Sequence, residues 1–168
     1  MHVVLAVLLL IILLIKVDYK NVKIYGLTIY YVITCNLLYN TICQKYLLWE
    51  YKPDSLLKTH VFVDLIYTFI VLPSITFLFL EKYPKSNSVS KKVFYVIRWV
   101  ATCLVVEIIF IKTGRLVLQN GYEYWMEFLF YPTMFSMILL HQRKPLLTYV
   151  LSTGIIIFLV LIFDVKLP

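Results

Sequence analysis

Apolar residues fill six stretches of this chain, at 1–15, 24–43, 61–80, 93–111, 122–140 and 146–163, and short segments rich in lysine, proline, asparagine and glycine separate them. A helix needs about 20 predominantly apolar residues to cross the roughly 30 Å hydrocarbon core of a bilayer, and five of the six stretches come close to that length. The first run extends only about 22 Å at about 1.5 Å per residue, so it crosses only if Lys16 snorkels or the bilayer thins. The pattern predicts an all-α fold, a polytopic transmembrane helical bundle of six spans, or five if the first run does not cross. Residues 1–168 form a single membrane domain in this reading.

The first run has no basic segment ahead of it, and Lys16, Val17 and Asp18 offer no small-residue cleavage site. It is expected to be retained and not removed as a signal peptide. The stretch QKYLLWEYKPDSLLKT at 44–59 mixes polar and aromatic residues too closely to cross, and suits a piece lying at headgroup level. Pro73 sits inside the third span and should kink it unless neighbours satisfy the freed carbonyl. EKYPKSNSVSKK at 81–92 is the clearest loop, and Gly114 and Gly121 bracket a short strand-like or interfacial excursion. Pro132 falls within the fifth span, and Pro145 fits the first turn of the sixth.

Composition strengthens the membrane reading. Hydrophobic residues make up 62% of the chain and charged residues only 15%, with a mean hydropathy of +0.87, far from the average soluble domain. The net charge of +7 does not indicate a nucleic-acid partner, because the basic residues occupy the short loops; they read as topology signals and contacts to anionic lipid. Lys16, Lys20, Lys23, Lys82, Lys85, Lys91, Lys92, Arg143 and Lys144 fall on one side of the bundle. The other side holds Lys45, Lys52, Lys58, Lys112, Arg115 and Lys166. This bias places the first set in the cytoplasm and both termini outside. Cys35, Cys43 and Cys103 form no CxxC pair and read as small packing residues.

With that topology drawn, the intramembrane polar residues gather at one level. Asn36, Asn40 and Gln44 recur every four residues on the outer half of the second helix, and His60, Asp64 and Thr68 do so on the third. Glu107 lies about one turn from the outer end of the fourth helix, and Glu123 and Glu127 open the fifth. Ionisable residues are costly in hydrocarbon and usually face a protein interior or a wet cavity. The expectation is an outward-facing polar cavity built from Asn36, Asn40, His60, Asp64, Glu107, Arg115 and Glu127, rimmed by Lys112 and Arg115. Asp64 and Glu107 are expected to pair with Lys112 or Arg115.

Each candidate has two readings. Asn36 and Asn40 suit interhelical hydrogen bonding, worth about 0.6 to 2 kcal/mol. Glu107 suits either a structural carboxylate at a helix contact or a proton or cation site. His60 and Asp64 are weak candidates for metal ligands, since HExxH is missing from the sequence; no metal and no cofactor are expected. His141, beside Arg143 and Lys144, suits an interfacial residue or helix-end cation, and Ser152, Thr153 and Gly154 suit a close helix approach. No GxSxG, phosphate-cradling loop or Ser-His-Asp arrangement nominates a catalytic group, so the catalytic residues are unknown and the balance lies against an enzyme.

From His60 onward the chain resembles a known pattern: His60-x3-Asp64, Pro73, Leu80-Glu81-Lys82-Tyr83-Pro84, Glu107-x6-Gly114, Gly121-Tyr122, and His141 followed by Lys144-Pro145. This is similar to an uncharacterised family of small integral-membrane proteins of endospore-forming Firmicutes, over about two thirds of the chain. Where that family has a Gly-Trp pair this chain has Gly121 and Tyr122, with Trp125 nearby. The resemblance implies a multi-pass protein of the bacterial inner membrane with a role around sporulation or the cell envelope, and supplies no reaction. The functional expectation is a non-enzymatic bundle that binds a partner protein, a lipid or a small solute. The alternatives are a small transporter or proton-coupled channel, and a membrane enzyme acting on a lipid or envelope precursor. The partners expected are the lipid bilayer and a membrane protein or second copy of the chain.

Overall fold

A computed structural model of the protein describes residues 1–54 and 57–166. About 75% of the chain is helical, in six helices: α1 (His2–Lys16), α2 (Val22–Ile42), α3 (His60–Glu81), α4 (Val89–Lys112), α5 (Glu127–Arg143) and α6 (Pro145–Ile162). Two short strands, β1 (Trp49–Tyr51) and β2 (Leu116–Leu118), pair antiparallel with Glu50 opposite Val117. By length and apolar character α3, α4 and α6 can each cross a membrane, and α1 and α2 pass together but are bent by 104° at the break between them.

Local chemistry sets each boundary. Val17 leaves α1 in extended conformation, and Asp18 accepts a hydrogen bond from the Lys20 N–H, starting a 3-10 turn at Tyr19–Asn21 that turns the chain by 104° into α2. In α3, Pro73 is absorbed without ending the helix. The five residues Tyr67–Val71 widen into a π turn, in which the Leu72 N–H bonds to the Tyr67 carbonyl. An extra residue in the turn shifts the carbonyl that a proline ring would strike, a recognised cause of local helix distortion.

Beyond α4, Gly114 has φ +68°, Arg115 N–H bonds to Phe110 O at 2.8 Å and Gly114 N–H to Ile111 O at 3.0 Å. This is the Schellman arrangement, with glycine at the left-handed position. The segment at 44–59 contains a short strand that the apolar pattern does not show. Its described part turns inward as β1, with Leu48 only 2% exposed, because pairing with β2 satisfies its backbone groups; Ser55 and Leu56 lie outside the described residues. The fifth helix starts later than the apolar pattern suggests, since residues 122–126 form a turn and the 3-10 segment Tyr124–Met126.

Tertiary contacts sort the connections to two ends. At one end Asn21 donates to both Glu81 carboxylate oxygens, at 3.1 and 2.9 Å, and Gln142 donates to Thr28 Oγ1 at 2.6 Å. At the other end lie the β1–β2 pair, the amino terminus at 2.7 Å from Asp54, and Tyr122 against Phe163. Helix α3 is central. One buried cluster joins it to α1 through Ala6, Leu9, Val63 and Val71, and a second joins it to α2 and α5 through Val32, Phe79, Phe135 and Ile138. Phe79 and Phe135 are fully buried with ring centroids 4.6 Å apart.

Candidate functional site

Helical spacing on α4 turns Cys103, Glu107 and Phe110 toward the interior, where Glu107 is 7% exposed. Glu127, 3% exposed, occupies the first position of α5, where the free N–H groups of a helix start favour a carboxylate. The two carboxylates meet, and the Tyr131 hydroxyl stands against Glu107. Among the described residues neither glutamate forms an ion pair, and Oε2 of Glu107 is buried without a hydrogen-bond partner.

Aromatic side chains surround this pair. The Asn120–Gly121 turn, with φ +56° and +82°, closes through the Tyr122 N–H to Gln119 O at 3.1 Å and drives Tyr122 inward. Its ring is buried, and its hydroxyl stands against Glu127. Tyr51 of β1 stacks on Tyr67 of the π turn at 3.9 Å, and both lie in electrostatic range of Glu107. Burial, then the neighbouring Tyr67 and Glu107, hold the Tyr51 hydroxyl well above the ordinary phenol range, so it stays neutral. His2 bridges this wall to the strand: its ring nitrogens lie 3.2 Å from the Tyr67 hydroxyl and 3.0 Å from Lys52 O.

The glutamates border a cavity of about 690 Å³, within the roughly 300–1,000 Å³ of typical ligand pockets. All six helices line it, and Leu9, Val32, Tyr67, Ile138 and Ile156 are representative of its mainly apolar wall. It reaches from Lys16 and Lys82 at one end of the bundle to Leu116 and Val165 at the other.

Of the residues the sequence nominates, Asn36, Glu107 and Glu127 line this cavity, and Asn40, His60, Asp64 and Arg115 do not. Asn36 donates to Thr68 Oγ1 at 2.7 Å, a bond between α2 and α3. His60 and Asp64 sit at the start of α3, 3.5 Å apart, with the His60 side chain 52% exposed. Arg115 is committed to the Pro53 carbonyl at 2.9 Å and leaves Glu107 to face Glu127. The expected pairing of Asp64 and Glu107 with Lys112 or Arg115 therefore does not occur, because the strand pairing of residues 116–118 draws Arg115 toward the β1 segment. No group of three His, Cys, Asp or Glu side chains placed to hold a metal occurs among the described residues.

Tyr51, Tyr67, Tyr122 and Tyr131 were not foreseen as site residues. The i, i+4 spacing of Glu127 and Tyr131 puts them on one helix face and was a usable signal; the other tyrosines look in sequence like interfacial aromatics.

A second polar group occupies the opposite end. His141 is buried, not interfacial: Tyr31 stacks on it at 4.5 Å, Nδ1 lies 2.9 Å from Thr28 Oγ1, and Nε2 is unpartnered among the described residues. The helix-end position that suggested a surface cation is covered by α2 and by Tyr149 of α6. Ser152 bonds the Tyr31 hydroxyl at 2.7 Å, whereas Gly154 faces open space and marks no close helix approach. Comparison of the chain with protein-family models, with curated proteins and with solved structures gives no match.

Proposed function

We propose that the chain is a six-span membrane protein whose internal cavity binds one apolar-chained small molecule of the bilayer. The observation that carries this reading is the cavity of about 690 Å³, lined by all six helices and mostly apolar, with the Glu107–Glu127 pair within it and Lys16 and Lys82 at one end. A polar cavity would suit a hydrated solute; an apolar one excludes it and accepts a lipid-like molecule without desolvating polar groups. In keeping with the basic loops and the resemblance of its second half, the protein belongs in a bacterial cytoplasmic membrane with its termini outside.

A second reading, passage of the bound molecule or a proton through the bundle, draws support from the reach of the cavity between Lys16 and Lys82 at one end and Val165 at the other. In the binding reading, protein purified in mild detergent carries one equivalent of a long-chain molecule by native mass spectrometry, and Ile156→Trp, which fills the cavity from α6, removes it. Wild-type protein that is empty, and whose melting temperature is indifferent to added long-chain alcohol, overturns the proposal.

A further inference from the structure

Resting on that reading of the cavity, the geometry points to its occupant: we propose that Glu107 and Glu127 form a head-group subsite selecting a single-chain amphiphile with a protonated primary amine. Two carboxylates meet in an apolar interior with no basic side chain paired to either among the described residues. Two facing carboxyl groups share a proton and leave one negative charge, which is expensive there, and a cation bearing several N–H donors offsets it. An ammonium has three donors and fits two facing carboxylates.

The unpartnered Oε2 of Glu107, on a side chain 7% exposed and bordering the cavity, is the acceptor such a head would fill. Stacked Tyr51 and Tyr67, with Tyr131, place aromatic rings around the same position, as favours an organic cation. Away from the carboxylates the wall is mainly apolar, aliphatic and aromatic, and receives the chain. An alcohol of the same length would fill the cavity but leave the charge uncompensated, and a fatty acid would add a third carboxylate.

The experiment is calorimetric titration of detergent-purified protein with decylamine, decanol and decanoate. Decylamine is expected to bind one equivalent at least about tenfold tighter than decanol, a difference of about 1.4 kcal/mol, and decanoate not measurably. Glu107→Gln and Glu127→Gln should each reduce decylamine to the level of decanol while leaving decanol affinity unchanged, which also shows that the variants fold. For wild-type protein, decylamine but not decanol should protect Glu107 and Glu127 from an apolar carbodiimide, read by peptide mass spectrometry. Equal affinity for decylamine and decanol, or carbodiimide protection by both, overturns the amine subsite and leaves the cavity reading intact. Failure of all three ligands to bind overturns both.

Discussion

Asn36 on α2 donates to Thr68 Oγ1 at 2.7 Å, and Thr68 donates onward to the Asp64 carbonyl at 2.7 Å beside the widened turn of α3. Hydrogen bonds in such a chain polarise one another, and between membrane helices each contributes about 0.6 to 2 kcal/mol. Asn36→Ala and Thr68→Val should each lower stability by about 1 kcal/mol. The double variant should lose less than the sum, because either change breaks the same bond; a double-mutant cycle of thermal unfolding in detergent measures the difference. Additive losses would mean that the two residues act separately. Residue chemistry of this kind was partly legible in sequence: helical spacing placed Asn36 and Glu107 toward the interior, since i, i+4 neighbours share a face. It could not show that Glu107 meets Glu127 and not Arg115, because that depends on the β1–β2 register. Nor could it show that His141 is enclosed by Tyr31 and Tyr149, which come from two other helices.

The ends of α4 and α6 solve one problem with different residues. Both close with a Schellman arrangement: Arg115 N–H to Phe110 O at 2.8 Å after α4, and Val165 N–H to Val160 O at 3.0 Å after α6. The left-handed position is Gly114 in the first, at φ +68°, and Asp164 in the second, at φ +46°. A side chain in that conformation meets the following carbonyl, at a cost of about 1–2 kcal/mol, less for Asp. Gly114 has nothing within 4 Å of a would-be Cβ, so Gly114→Ala should lose about 1 kcal/mol from the backbone alone. Asp164→Gly should gain about 0.5 kcal/mol. Opposite shifts of melting temperature check the pair, and shifts of the same sign would refute it. At this scale the sequence was most informative. Each apolar run lies largely within one helix, and glycines at 114 and 121 marked a strand-like excursion that does contain β2. The π turn escaped notice because Pro73 signals a disturbance without saying how the preceding turn absorbs it.

At the scale of the whole molecule, the outer faces are coated with large apolar side chains. Val4, Leu14, Leu27, Phe94, Leu146 and Leu161 are all at least 65% exposed, and only 11% of the apolar window of α6 is buried. A surface of this kind suits a hydrocarbon surrounding, in which polar side chains are confined to the interior and the two ends. The ends differ in charge: the turns at 17–21, 81–88 and 144 share one end, and together with the helix ends that flank them they hold nine of the 16 lysines and arginines, Lys16, Lys20, Lys23, Lys82, Lys85, Lys91, Lys92, Arg143 and Lys144. On the topology proposed above, in which basic residues in short loops stay on the cytoplasmic side, Asn87 lies inside and Gln44, just beyond α2 at the opposite end, lies outside. Both side chains are exposed, so each can report its compartment once Cys35, Cys43 and Cys103 are replaced. On intact cells an impermeant maleimide should label Gln44→Cys at once and Asn87→Cys only after permeabilisation. The reverse pattern would invert the orientation but keep the bundle. Immediate labelling of both would place the two ends on one side, which six alternating spans forbid.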